Sequence, residues 1–294
     1  MQRDRLRKFP GLVAASRALY SLPYRRRALT QRDGSPRIEV AFVPERPHPL
    51  NAAWKICTLN GYKITSTTGS PGREPALAVH FSGSTERPAP ASLSRLSCRV
   101  LNQDCDDISK RAVETASLKA FGYGLAIDPL THAGMCVEKS DANATHDGRE
   151  LLAPLGDDAV RPGRVYQRVV DNMTDDGTEV VDLRPVVMGD QIVLVYRKYR
   201  PVSDRFSNVN TRTELLSSAE AFDEEERAQI LTFCAAMGID YGELDVLRDR
   251  SDGRIYVVDA NPTPNGPANH LSPADHWSAL DMMCAAWREE FMPA

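Results

Sequence analysis

The chain has 294 residues, 42% of them hydrophobic and 26% charged, with a formal net charge of -4. That length and apolar content support a large core shared by two or three packed lobes. The mildly acidic balance gives no global pull toward nucleic acid or an anionic membrane surface. No apolar run reaches the roughly 18 residues that a membrane span needs, and the basic N-terminus, interrupted by Arg17, lacks the form of a signal peptide. Six cysteines make no Cys-x-x-Cys pair and no zinc-ligand spacing. They read as reduced thiols, mostly in the core, and a cytoplasmic protein is expected.

Residues 1–36 form a basic arm. Arg3, Arg5, Arg7, Lys8, Arg17, Arg25, Arg26 and Arg27 stand against Asp4 alone within the first 30 residues. A short amphipathic segment from Leu12 to Leu22 is expected to be a surface helix or frayed arm, with docking of a partner or steering of phosphate as the alternative. Residues 37–98 read as a small α/β lobe: a strand from Ile38 to Val43, a helix from Ala52 to Leu59, and a strand from Ala76 to Phe81 ahead of the break at Pro88 to Pro90. Residues 99–170 open with Val100 and Leu101. A helix from about Asp107 to Phe121 follows, with Asp107 as its N-cap and Gly122 as its stop. Short strands come next at Leu125 to Asp128, Met135 to Glu138 and Val165 to Val170, with a polar loop from Ser140 to Arg149. No internal repeat suggests a solenoid or propeller.

Residues 171–294 carry two hairpin signals. The first joins Glu179 to Met188 and Gln191 to Tyr199 through Gly189-Asp190. A two-residue turn there sets Asp182 opposite Arg197 and Arg184 opposite Val195. Asp182, Arg184 and Arg197 then share a face with Val186 and Val193, while Leu183, Val187, Ile192 and Leu194 take the other. A helix from Asp223 to Met237, ended by Gly238, leads to the second hairpin, in which Tyr241 to Arg248 and Arg254 to Ala260 flank Ser251-Asp252-Gly253. That loop sets Asp245 opposite Asp259 and Glu243 opposite Asn261, all on one face. Like charges placed directly opposite repel. A divalent cation would resolve the conflict, since Mg²⁺ takes hard oxygen ligands and one or two carboxylates complete an octahedron with phosphate and water. A solvated acidic strand face is the alternative.

The run from Gly242 to Pro264 resembles the metal-binding signature of the ATP-grasp superfamily, in its glutathione synthetase-like, carboxylate-amine ligase form. The resemblance spans roughly Leu101 to Pro267. It implies an α/β (α+β) architecture in which a small N-terminal α/β lobe precedes two α+β lobes that sandwich a nucleotide. It further implies that Asp245, Asp259 and Asn261 hold Mg²⁺, two ions in all and replaceable by Mn²⁺, with Asp259 standing where relatives more often have Glu. By the same likeness Lys110 and Lys139 are nucleotide lysines. The loop from Ser140 to Gly148, with His146 and Gly148, resembles a lid over the triphosphate, although it has one glycine where relatives often have two or three. Gln167, Val169 and Val170 resemble the hinge that pairs with adenine. Arg184 and Arg197 match arginines that face the phosphates or the substrate acid, and so are the catalytic candidates.

Such a set suits phosphoryl transfer, which asks for cations and metals around the moving group and little covalent work from the protein. No serine-hydrolase elbow, Walker A loop or dinucleotide-binding glycine motif competes with it. The resemblance implies a ligase that uses Mg²⁺ and ATP to activate a carboxylate of a small molecule or peptide as an acyl phosphate for attack by an amine. Two alternatives share the same residues: a kinase of this fold with a hydroxyl or phosphate acceptor, and a nucleotide-binding partner protein without turnover. A homodimer is expected on general grounds only.

Overall fold

The structure, a computed structural model, describes residues 10–30, 37–66, 74–145, 147–207 and 209–292. The first helix, α1 (Pro10–Thr30), runs through Pro23 and well past the expected segment. A proline inside a helix removes one hydrogen bond and crowds the preceding turn. Docking offsets that cost. Tyr24 is 5% exposed and meets Trp54 edge-on and the rings of His276 and Trp277. One turn on, Arg27 grips both oxygens of Asp281 at 2.7 and 2.8 Å.

Four parallel strands follow in spatial order β2-β1-β3-β4: β1 (Glu39–Pro44), β2 (Lys63–Thr65), β3 (Leu77–Phe81) and β4 (Val100–Leu101). β1 and β3 are buried almost throughout, as parallel strands covered on both faces must be. Helix α2 (Ala52–Leu59) connects β1 to β2. β4 pairs with β3, so the sheet extends past residue 98, where the sequence reading ends the small lobe.

Helix α3 (Lys110–Phe121) starts later than expected. Its N-cap is Ser109, whose hydroxyl accepts from the Ala112 N–H, while the exposed Asp107 accepts from the Ser109 N–H at 2.7 Å. A three-stranded antiparallel sheet then forms from β5 (Gly134–Ser140), β6 (Arg149–Ala153) and β7 (Arg164–Arg168), with β5 central.

The largest sheet has the order β10-β9-β8-β11-β12, from β8 (Glu179–Met188), β9 (Gln191–Pro201), β10 (Arg212–Leu216), β11 (Tyr241–Arg248) and β12 (Ile255–Asn261). The short α4 (Ser218–Ala221) precedes α5 (Glu224–Met237), and α6 (Pro273–Phe291) ends the fold. One face of this sheet offers Leu183, Val187, Val195, Val246 and Val257 to a core shared with Val113 and Phe121 of α3 and Phe233 of α5. Helix α3 therefore packs with the C-terminal lobe rather than forming a separate centre with the three-stranded sheet. The other face offers Val186, Leu194 and Tyr196 to Trp287 of α6 and to the parallel sheet.

Two bulges decide which side chains reach the site. In the first hairpin Val187 pairs with Ile192 but Val186 pairs with Leu194, leaving Val193 as the extra residue. Beyond it the partners are Asp182 with Lys198, Leu183 with Arg197 and Arg184 with Tyr196. The expected pairing of Asp182 with Arg197 is thus wrong by one residue, and a slip of one moves every side chain to the opposite face. In the second hairpin the turn is longer than Ser-Asp-Gly, because Asp249 N–H bonds to Arg254 O and Arg248 pairs with Ile255. A bulge at Val258 compensates, so that Asp245 faces Asp259 and Glu243 faces Asn261.

Candidate active site

Arg184, Asp245 and Asp259 run side by side across β8, β11 and β12. Arg184 Nη2 donates to Asp245 Oδ2 at 2.7 Å and its Nε lies 2.5 Å from Oδ1. Lys110, carried in by the first turn of α3, donates from Nζ to Asp259 Oδ1 at 2.9 Å. The repulsion between the facing carboxylates is therefore relieved by one guanidinium and one ammonium, where the sequence suggested a divalent cation or, as the alternative, a solvated acidic face. Among the described residues no group of three or more His, Cys, Asp or Glu side chains is placed to hold a metal ion. What remains is two carboxylates and the Asn261 carboxamide, whose oxygen is oriented by the N–H and hydroxyl of Thr263 at 3.0 and 3.3 Å. This donor set fits Mg²⁺, which is satisfied by few protein oxygens when phosphate and water supply the rest. Side chains 21% exposed for Asp245 and 27% exposed for Asp259 leave both carboxylates in reach of such a ligand, Asp245 once Arg184 lets go of it.

Two further cations border the pair. Lys139 is pushed down to about 8, chiefly by burial and then by the charge of Lys110, against the pull of Asp259 and Asp245. Its position on β5 puts it on the sheet face of Val137, Val165 and Gln167, since Val137 pairs with Gln167 and Lys139 with Val165. The opposite face holds Glu138, fully buried and ringed by Arg149, Arg161 and Arg164. Burial alone would raise that carboxyl, but the three arginines hold it below the usual carboxylate range.

Lys198 is the second, and the sequence reading missed it. It shares the face of Arg184, and its ammonium is pushed down to about 8 by burial first and by Arg184 next, with Glu243, Asp245 and Asp182 opposing. Arg197, the expected candidate, lies on the other face and donates to Glu214 Oε2 at 3.2 Å. Only the bulge at Val193 separates the two outcomes.

The loop from Ser140 to Gly148 is tied at both ends. Asp147 accepts from the Ser140 N–H at 3.0 Å and pairs with Arg164, contacts that hold its carboxyl down at about 2. Asp141 accepts from the N–H groups of Lys110 and Arg111, and the Asn143 N–H donates to Thr85 Oγ1. Gly148 abuts the ring of Phe206, which a Cβ there would meet at 2.9 Å. His146 lies outside the described residues. Gln167 is buried in β7, Val169 follows the end of that strand, and Val170 packs with Leu125 and Tyr256 while its carbonyl accepts from Arg205 at 3.3 Å.

Neither a family profile nor a curated protein sequence matches this chain. Solved structures do. The ATP-grasp ligase PsnB, complexed with a phosphomimetic variant of its minimal precursor, Mg and ADP, is 16% identical and aligns over 85% of this chain and 99% of its own, with a TM-score of 0.55. The VanG D-Ala:D-Ser ligase from Enterococcus faecalis is 12% identical over 87% and 100%, with a TM-score of 0.55. D-alanine–D-alanine ligase from Bacillus anthracis, complexed with ATP, is 15% identical over 87% and 99%, with a TM-score of 0.52. The chain has the ATP-grasp fold.

Proposed function

We propose that this protein is a Mg²⁺- and ATP-dependent ligase that activates a substrate carboxylate as an acyl phosphate for attack by an amine. The observation that carries the reading is the meeting of Lys110, Lys139, Arg184 and Lys198 around the facing Asp245 and Asp259, in a fold shared with ligases seen with ATP or with Mg and ADP. Bound Mg²⁺ and ATP would supply the phosphoryl group and neutralise part of its charge. Asp245, Asp259 and the Asn261 carboxamide would hold the metal. Lys110 and Lys139 would position the phosphates, and Arg184 with Lys198 would take up the charge that grows on the phosphoryl oxygens and the carboxylate. Gln167, Val169 and Val170 would line the base, and the loop ending at Gly148 would keep water out. No proton need move on the protein until the amine attacks.

A carboxylate carried on a precursor chain is the favoured substrate class, since PsnB, which shares the fold, is seen in complex with a variant of its minimal precursor. No helix among the described residues is long and apolar enough to cross a membrane, and six free thiols suit the reducing cytoplasm.

Hydroxylamine tests the chemistry. With ATP, Mg²⁺ and a carboxylate peptide, a hydroxamate should accumulate, whereas a stable phosphorylated product would show the kinase alternative. Asp259→Ala should abolish turnover while unfolding at the wild-type midpoint. Normal ATP consumption by that variant would remove the site assignment.

A further inference from the structure

Asp245 cannot serve a divalent cation while Arg184 donates to its Oδ2 at 2.7 Å and stands with Nε 2.5 Å from its Oδ1 as an ion pair. The guanidinium must yield, and its side chain is mostly covered, at 20% exposed, so it needs an acceptor within reach. A second acceptor stands beside it. Glu243 lies two residues before Asp245 on the same face of β11, between Val186 of β8 and Asn261 of β12. Its side chain is 3% exposed, and one carboxylate oxygen is 3.5 Å from Arg184 Nη1. The other, Oε1, is buried and has no hydrogen-bond partner. An unmet carboxylate oxygen in the interior is costly, and an apolar side chain would fill the same place without that cost. Among the described residues Arg184 is the one cation within 4.0 Å of Glu243. Space around the free oxygen is kept by Gly266, where a Cβ would come to 3.3 Å.

We propose that Glu243 is a positioning residue that receives the Arg184 guanidinium when Asp245 turns to a divalent cation. The inference rests on the ligase reading only in so far as that reading places the cation between Asp245 and Asp259. Arg184 then has two settings on one strand face: bonded to Asp245, where it blocks the metal, and bonded to Glu243, where it frees Asp245 and points its remaining donors at the phosphoryl group. Glu243 touches neither metal nor nucleotide in this scheme.

Binding of Mn²⁺ in the presence of ADP, read from the loss of the free-ion signal in electron paramagnetic resonance, tests this without turnover. Glu243→Gln keeps the shape but weakens the receiving site, and it should weaken Mn²⁺ binding roughly tenfold or more, the scale of one charge-assisted hydrogen bond. Arg184→Met removes the competitor, so it should bind Mn²⁺ at least as tightly as wild type, an expectation that stands even if Glu243→Gln folds poorly. In the Arg184→Met background the effect of Glu243→Gln should shrink below about twofold. Wild-type affinity in Glu243→Gln, weakened binding in Arg184→Met, or a full loss on adding Glu243→Gln to Arg184→Met would each overturn the proposal, the last by showing that Glu243 acts on the metal directly. A wild-type protein that binds no Mn²⁺ with ADP would instead bring down the ligase reading itself, and this inference with it.

Discussion

Lys198 and Arg197 are neighbours in sequence and face opposite sides of the large sheet, which makes them a sharp pair for assigning the charge-stabilising role. Removing one preorganised donor to a developing oxyanion lowers turnover by about a hundredfold or more, so Lys198→Met should fall by that order in steady-state ATP hydrolysis coupled to product formation. Arg197→Met loses a half-exposed pair with Glu214 on the face away from the site and should stay within about threefold, since such pairs contribute little. Equal losses in both variants would place the role elsewhere. This pair also marks the limit of what could be read from residues alone. The facing of Asp245 with Asp259 and of Glu243 with Asn261 was legible because period two along each strand and the turn residues are visible in the letters. The Val193 bulge sits in a plain run of β-branched and apolar residues, where any one of several could be the extra residue. Its position is set by packing of Val186 and Leu194 on one side and Val187 and Ile192 on the other. On the β11–β12 hairpin the same uncertainty did no harm, because a longer turn and a bulge at Val258 cancel.

At the scale of elements, the stops of α3 and α5 were readable, whereas the start of α3 and the end of α1 were not. Gly122 and Gly238 both end helices in the left-handed region, at φ 75° and 66°, a conformation that disfavours any residue with a Cβ. Their surroundings differ. A Cβ at Gly122 would meet nothing within 4 Å, whereas one at Gly238 would lie 2.5 Å from the Asp104 carbonyl carbon. Gly122→Ala should therefore cost about 1 kcal/mol, the conformational term alone. Gly238→Ala must also push backbone away from α5 and should cost more than about 2 kcal/mol. Urea denaturation midpoints, with unchanged slopes, would check both, and similar losses would mean that Asp104 moves freely. At the start of α3, Asp107 and Ser109 are both competent caps, and their sequence does not rank them. The geometry does, since Asp107 is used up in bonding the Ser109 N–H and hydroxyl. The path of α1 was illegible for a different reason: its stability comes from Trp54, Trp277 and Asp281, residues far away in the chain.

The whole molecule depends on joints between the parallel sheet and the large antiparallel sheet, among them Asn102. Its side chain accepts from the N–H groups of Asp240 and Tyr241 and donates to the Tyr241 carbonyl, at 2.8, 2.9 and 2.8 Å. That joint fixes the start of β11, and hence Glu243 and Asp245. The Asn102 carbonyl is in turn 3.2 Å from Nδ1 of the fully buried His80. Burial, and then the charge of Arg87, lower the His80 pKa from its ordinary 6.5, against weaker help from Asn102 and Asp106. Below pH 6.5 the unfolded chain thus binds a proton that the native imidazole refuses. Stability is full above that point and falls as the pH drops beneath it, by at most about 1.4 kcal/mol per pH unit for one group. His276, lowered by burial and by Lys55, adds in the same sense. His80→Asn keeps a donor for the Asn102 carbonyl and cannot be protonated, so its unfolding free energy between about pH 7.5 and pH 5 should decline less steeply than that of wild type. Parallel profiles for the two proteins would show that the acid sensitivity of the joint lies with His276 or elsewhere.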